Sequence, residues 1–244
     1  MLKIIISLML LIISLYGDNF FTDKDMKKYS ELILNNKQKV YTPSELVKTL
    51  FKIKQRDEFE TKVKYQERIS NLTGNGVYFV FKELHTKYDI DNNELEFMNI
   101  ETGTFGSVIS KMLYAEETIK KKGFSQVDYR LNNKLDEPFP LKNKLINDKE
   151  RFGFGKNGFY SAFLKMSSEV AKKLKNNNKN IFYQIIAIRI DAISIQNRKI
   201  EDISYRYNGT MLYRLAYEVE SVIEGISIVS INPQKVIFAY GINK

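Results

Sequence analysis

Apolar positions recur at helical spacing in the first third of the chain and at strand spacing afterwards, and the period changes near Gly74-Asn75-Gly76. Residues 20–39 are polar, with a weak helical pattern in Met26, Tyr29, Leu32 and Ile33. Thr42-Pro43-Ser44-Glu45 is a clear helix start: threonine caps, proline suits the first helical position, and glutamate stands three residues after the cap. Leu46, Val47, Leu50 and Phe51 then form an apolar stripe that predicts a core-facing helix. A second helix is expected from Thr61, whose hydroxyl can accept from an otherwise unpaired N–H of the first turn, to about Asn71. Phe59, Val63, Ile69 and Leu72, with Tyr65 beside them, are assigned to its core side, and Lys62, Lys64, Gln66, Glu67 and Arg68 to solvent. Asp57, Glu58 and Glu60 precede the cap and suit the positive end of the helix dipole, and Arg68 is long enough to reach back to one of them or to a neighbouring strand.

Strand-like runs follow at Val77 to Phe81 and Glu94 to Phe97, joined by a polar turn containing Asp89, Asp91, Asn92 and Asn93. The Asp89-x-Asp91-x-Asn93 spacing begins like a calcium loop, but Glu94 replaces the required glycine and Ile100 the closing glutamate, so a hairpin turn is expected. His85, the only histidine, cannot build a histidine-rich metal site and is expected at the surface. Gly103-Thr-Phe-Gly106 predicts a turn before a strand or short helix from Val108 to Ala115, and Asp136-Glu-Pro-Phe-Pro140 predicts a long loop or flap. Gly153-Phe-Gly155-Lys-Asn-Gly158 spells G-x-G-x-x-G, yet no buried strand precedes it and no helix follows; Asn157-Gly158 between aromatic arms predicts a hairpin instead. Ser167 or Ser168 caps a short helix through Val170, Ala171 and Leu174, with Lys172, Lys173 and Lys175 near its negative end. Ile181 to Ile195, Met211 to Ile223, Ile226 to Ile231 and Val236 to Tyr240 read as strands, the last two joined through Asn232-Pro-Gln-Lys235. Consecutive strands with short turns predict an α+β fold: an antiparallel β-sheet with the helices packed on one face.

The amino terminus changes the picture. Met1-Leu-Lys3, the apolar run Ile4 to Tyr16, and Gly17 before Asp18-Asn19 read as a secretory signal peptide over residues 1–17, leaving residues 18–244 as a single domain with a possible lobe split near 150. The apolar run is shorter than the roughly 20 residues of an ordinary spanning helix; the rival expectation is an uncleaved anchor, with membrane contact through this segment alone. The absence of cysteine excludes disulfides, thiol catalysis and lipidation, so packing alone must stabilise an exported chain. A 13% aromatic fraction and four prolines argue against disorder. The formal charge of +9, or +8 once Lys3 leaves with the signal, favours acidic partners. An anionic envelope component or another envelope protein fits a periplasmic or secreted address; nucleic acid does not. No cofactor or metal is expected.

One segment carries a resemblance. Arg56-Asp-Glu-Phe-Glu-Thr61, with Tyr65-Gln66 and Arg68, resembles the (K/R)DEFET-x-x-x-Y-x-x-R signature of uncharacterised exported bacterial proteins, many of them lipoproteins. Tyr88-Asp89-Ile90-Asp91 resembles the YDAD turn that often follows, and Glu169 to Leu174 is similar to a later helix ending in A-x-x-L. The resemblance implies export and this general fold, and it implies no catalytic residue. From the residues themselves two functions are open. In one the chain is a non-catalytic periplasmic or envelope binding module using Arg56, Arg68, Lys172, Lys173, Lys175 and exposed aromatics such as Tyr205 and Tyr207. In the other it is a carboxylate enzyme, a hydrolase pairing acids among Asp57, Glu58, Glu60, Glu218 and Glu220, or an ADP-ribosyltransferase-like protein. Glu218-Val-Glu220 spells the E-x-E of such toxins, although their Ser-Thr-Ser strand is missing.

Overall fold

In a computed structural model the described residues are 21–73, 76–103, 105–109, 126–134, 145–147, 149–155, 158–176, 179–207 and 210–241. The signal segment, the loop at 136–140 and most of 108–115 lie outside them, as do the side chains of Tyr205 and Tyr207.

Three helices open the described chain. Helix α1, Asp23–Leu34, starts with a reciprocal cap in which Thr22 and Asp25 satisfy each other's backbone N–H. Helix α2, Pro43–Phe51, has the same device in Thr42 and Glu45, with proline at its start, and buries Leu46, Val47 and Leu50. Helix α3, Lys62–Thr73, is capped by the Thr61 hydroxyl, which accepts from the Lys64 N–H. Its core side is Tyr65 and Ile69, each 1% exposed, whereas Phe59 is 89% and Val63 62% exposed. Phe59 and Val63 are therefore corrected from core to surface. Phe59 precedes the cap and is not on the helix, and Val63 stands about 200° around the helix from Tyr65.

Among the described residues, eleven strands form one continuous sheet that divides into three parts sharing two long strands. Strand β1, Val77–Asp89, pairs with β8, Phe182–Arg189, over its first part and with β2, Glu94–Met98, over its second. Beyond β2 come β7, Tyr160–Lys165; β6, Glu150–Phe154; and β5, Leu145–Asn147. The other long strand, β10, spans Thr210–Ile231. Its first half pairs with β9, Lys199–Tyr207, and with β4, Gln126–Asn133, which also carries β3, Phe105–Ile109. Its second half pairs with β8 and with β11, Gln234–Gly241. Every pairing is antiparallel except β4 with β10, which is parallel. Two short helices complete the order: α4, Ser168–Lys175, and α5, Ala192–Gln196.

The principal core gathers Leu46, Leu50, Tyr65 and Ile69 from the helices with residues from all three parts of the sheet, among them Ile186, Phe97 and Leu131. Phe97 and Phe152 meet Phe238 across it at 5.8 and 5.7 Å between ring centroids. A second core holds Met26 of α1 with Phe79, Ile185, Ala187 and Val229. These are the strand neighbours of Val80, Ile186, Ile188 and Ile228 in the principal core, so they face the opposite side of the sheet. The mixed, mainly antiparallel architecture matches the expectation from the sequence, but the helices are divided: α1 covers one face, α2 and α3 the other.

Two further differences follow from local chemistry. The expected strand from Ile181 to Ile195 ends at Arg189, because Asp191 Oδ1 accepts from the Ser194 N–H at 2.6 Å and caps α5. The runs Met211 to Ile223 and Ile226 to Ile231 are one strand, with a bulge between Ile223 and Gly225 in place of a break.

Candidate functional site

The Arg56 to Arg68 segment is built around an ion pair. Arg68 donates to both oxygens of Glu60 at 2.8 and 2.9 Å and to the Lys54 and Gln55 carbonyls at 3.2 and 3.3 Å, while its guanidinium lies 5.1 Å from the Tyr65 ring centroid. One side chain thus ties the approach loop, its acid and the helix face together. The hydrogen bond from Arg68 holds the Glu60 carboxyl below the usual carboxylate range. Arg56 and Glu58 are exposed. From the other side Arg198 donates to the Leu50, Ile53 and Ile195 carbonyls at 3.2, 2.5 and 3.2 Å, closing the ends of α2 and α5. Nothing in the local pattern around Arg198 announces that role, since the Leu50 and Ile53 carbonyls are distant in sequence and only Ile195 is near.

Glu218 and Glu220 belong to a different place, a charged face shared by β4, β9 and β10. Alternation sets Arg214, Ala216, Glu218 and Glu220 on one side of β10, and the register places Glu218 beside Arg130 and Ala216 beside Asp128. Arg130 donates to Glu218 Oε1 at 3.1 Å and to Asp128 Oδ2 at 2.9 Å, and Arg214 reaches the same Asp128 oxygen at 3.1 Å. Asn132 donates to Glu218 Oε2 at 2.9 Å. Burial works against the Arg130 charge, but hydrogen bonds and charge from Asp128 and Glu218 outweigh it and raise its pKa. Asp128 and Glu218 are 2% and 5% exposed, and Asp128 Oδ1 has no partner. Glu220 is half-buried and lies 3.6 Å from Lys134, which also reaches Asp191 at 3.4 Å. A general base needs a lone pair directed at substrate. Both oxygens of Glu218 instead accept from neighbouring side chains.

The lysines proposed for binding sit on α4. Ser167 caps it by accepting from the Val170 N–H at 3.4 Å, Ala171 faces the core, and Lys172 and Lys173 are exposed in its last turn.

The recesses that are described lie elsewhere, along the crease between α1 and β11. One hollow of about 350 Å³ is lined by Lys27, Glu31, Leu34, Lys235 and Val236 among others. Its neighbour, about 330 Å³, is lined by Lys24, Lys27 and the run Val236 to Ala239. Lys27 and Val236 line both, so the hollows adjoin along the α1–β11 groove. On α1 the lining residues Lys24, Lys27, Glu31 and Leu34 recur every three or four positions and form one stripe. The sequence offered little sign of this site: α1 has only a weak apolar pattern, and the groove exists because β11 returns beside it. No protein-family model, no curated protein and no solved structure matches this chain, so the reading of its function rests on these residues.

Proposed function

We propose that the protein is an exported, non-catalytic binding module of the periplasm or cell envelope, and that it holds its partner in the groove between α1 and β11. The observation that carries this reading is the pair of adjoining hollows lined by Lys24, Lys27 and Lys235. Their cations suit an anionic envelope component or an acidic surface of another envelope protein. The export half of the proposal rests on the pattern of residues 1–17 and on the resemblance of the Arg56 to Arg68 segment. The carboxylate-enzyme alternative is less well supported, because Glu60 and Glu218 are each held by arginine and the described groove contains neither. Cell fractionation with intact-mass analysis tests the address: a mature mass beginning near Asp18 in the envelope or periplasmic fraction is expected, and a full-length cytosolic chain would contradict it.

A further inference from the structure

We infer that the open edge of β11 accepts an extended acidic peptide segment as an added strand, a partner class that rests on the binding reading above. Among the described residues β11 pairs only with β10. The Gly241 N–H donates to Asp23 Oδ1 at 2.9 Å, so it points away from β10. That carboxylate stands where the carbonyl of a neighbouring strand would accept. Residues two apart direct their backbone groups to the same side, so the Ala239 N–H and C=O face the groove as well. The bulge opposite Ile228 and Val229 leaves Ile237 without a register partner on β10.

The groove therefore joins three features that strand addition uses: a main-chain edge, a floor from Val236 to Ala239, and a charged wall from α1. The wall and rim decide the chemistry of the guest. The lining carries Lys24, Lys27 and Lys235 against Asp23 and Glu31, an excess of one cation, which favours acidic over basic side chains. Lys235 and the bulge also protect this edge from indiscriminate pairing, since a lysine and a local twist both disfavour it. From Gln234 to Ala239 the lining offers about 20 Å at roughly 3.4 Å per residue, room for a segment of about six residues.

The test uses the full chain and three synthetic peptides of about ten residues: one alternating Glu and Val, one alternating Lys and Val, and a Glu/Val copy N-methylated at alternate amides. Fluorescence anisotropy is expected to rank the Glu/Val peptide about tenfold or more above both others, and Lys27→Glu to reduce that preference about tenfold. Amide exchange at Ala239 is expected to slow when the Glu/Val peptide binds. Equal binding of the N-methylated peptide, slowed exchange elsewhere but not at Ala239, no binding of the Glu/Val peptide, or self-association of the chain through this edge would each overturn the inference. Retention of the chain in the envelope fraction separates the two levels. Loss of retention in Lys27→Glu with no peptide binding would reject strand addition alone, and unchanged retention would reject the groove as well.

Discussion

Arg68 donates to Glu60 and to two carbonyls of the approach loop, while the motif's aromatic Phe59 points away from the protein. Stability at this segment should therefore follow the arginine and the true core residues. Phe59→Ala is expected to change unfolding free energy by less than about 0.5 kcal/mol, and Ile69→Ala to cost about 2–5 kcal/mol, both read from denaturant midpoints. Arg68→Ala is expected to speed amide exchange across residues 54–60. The caps add a pH dependence. Hydrogen bonds from Thr22 and Thr42 hold Asp25 and Glu45 below their ordinary values. A depressed carboxylate contributes stability above its unfolded pKa, near 4, and loses it as pH falls through the lower folded value. Thermal midpoints should fall on acidification below about pH 4, and Glu45→Gln should shrink the part of that fall due to α2. At this scale the sequence was legible where the partner is local. Both Thr42 and Thr61 cap as expected, whereas the exposure of Phe59 depends on where the helix begins, and that position lies after it.

Hairpins were the most legible elements. Asn232-Pro233 turns β10 into β11, and Gly158, at φ +78°, lies in the connection from β6 to β7. The continuity of β10 was not legible, because Gly225 resembles a break. A Cβ at Gly225 would lie within contact of the Met26 side chain and the Tyr240 carbonyl, so the glycine lets α1 and β11 close on the bulge. Gly225→Ala is expected to destabilise the fold by about 1–3 kcal/mol, with the loss concentrated in exchange protection of α1. The division of helices between two faces was hidden for a similar reason. The sheet is buried on both sides at β1 and β8, so its strands lack the polar alternation that marks a single covered face.

For the whole molecule, two sets of charges have different consequences. The network of Asp128, Arg130, Arg214 and Glu218 is mostly enclosed and held by ion pairs among its own members. Removing one member strands its partner. Glu218→Ala is expected to cost up to about 3–5 kcal/mol, less to the extent that Arg130 keeps its 29% exposure, measured by chemical denaturation. The lysines of the α1 groove face solvent and have no such structural duty, so charge reversal there should spare folding and alter binding. The sequence located Glu218 and Glu220 correctly on one strand face but could not indicate that Arg130 and Asn132, distant in the chain, would occupy Glu218. It likewise held the groove lysines without a pattern to single them out.

The most direct test of the groove as the functional surface is site-specific photocrosslinking in the producing cell, with a photoreactive residue at Lys27 in one strain and at Lys172 in another. A discrete adduct in the envelope fraction from position 27, and none from position 172, is the expected result. An adduct from position 172 alone, or none from either, would contradict the account and move the search to α4 or away from binding altogether.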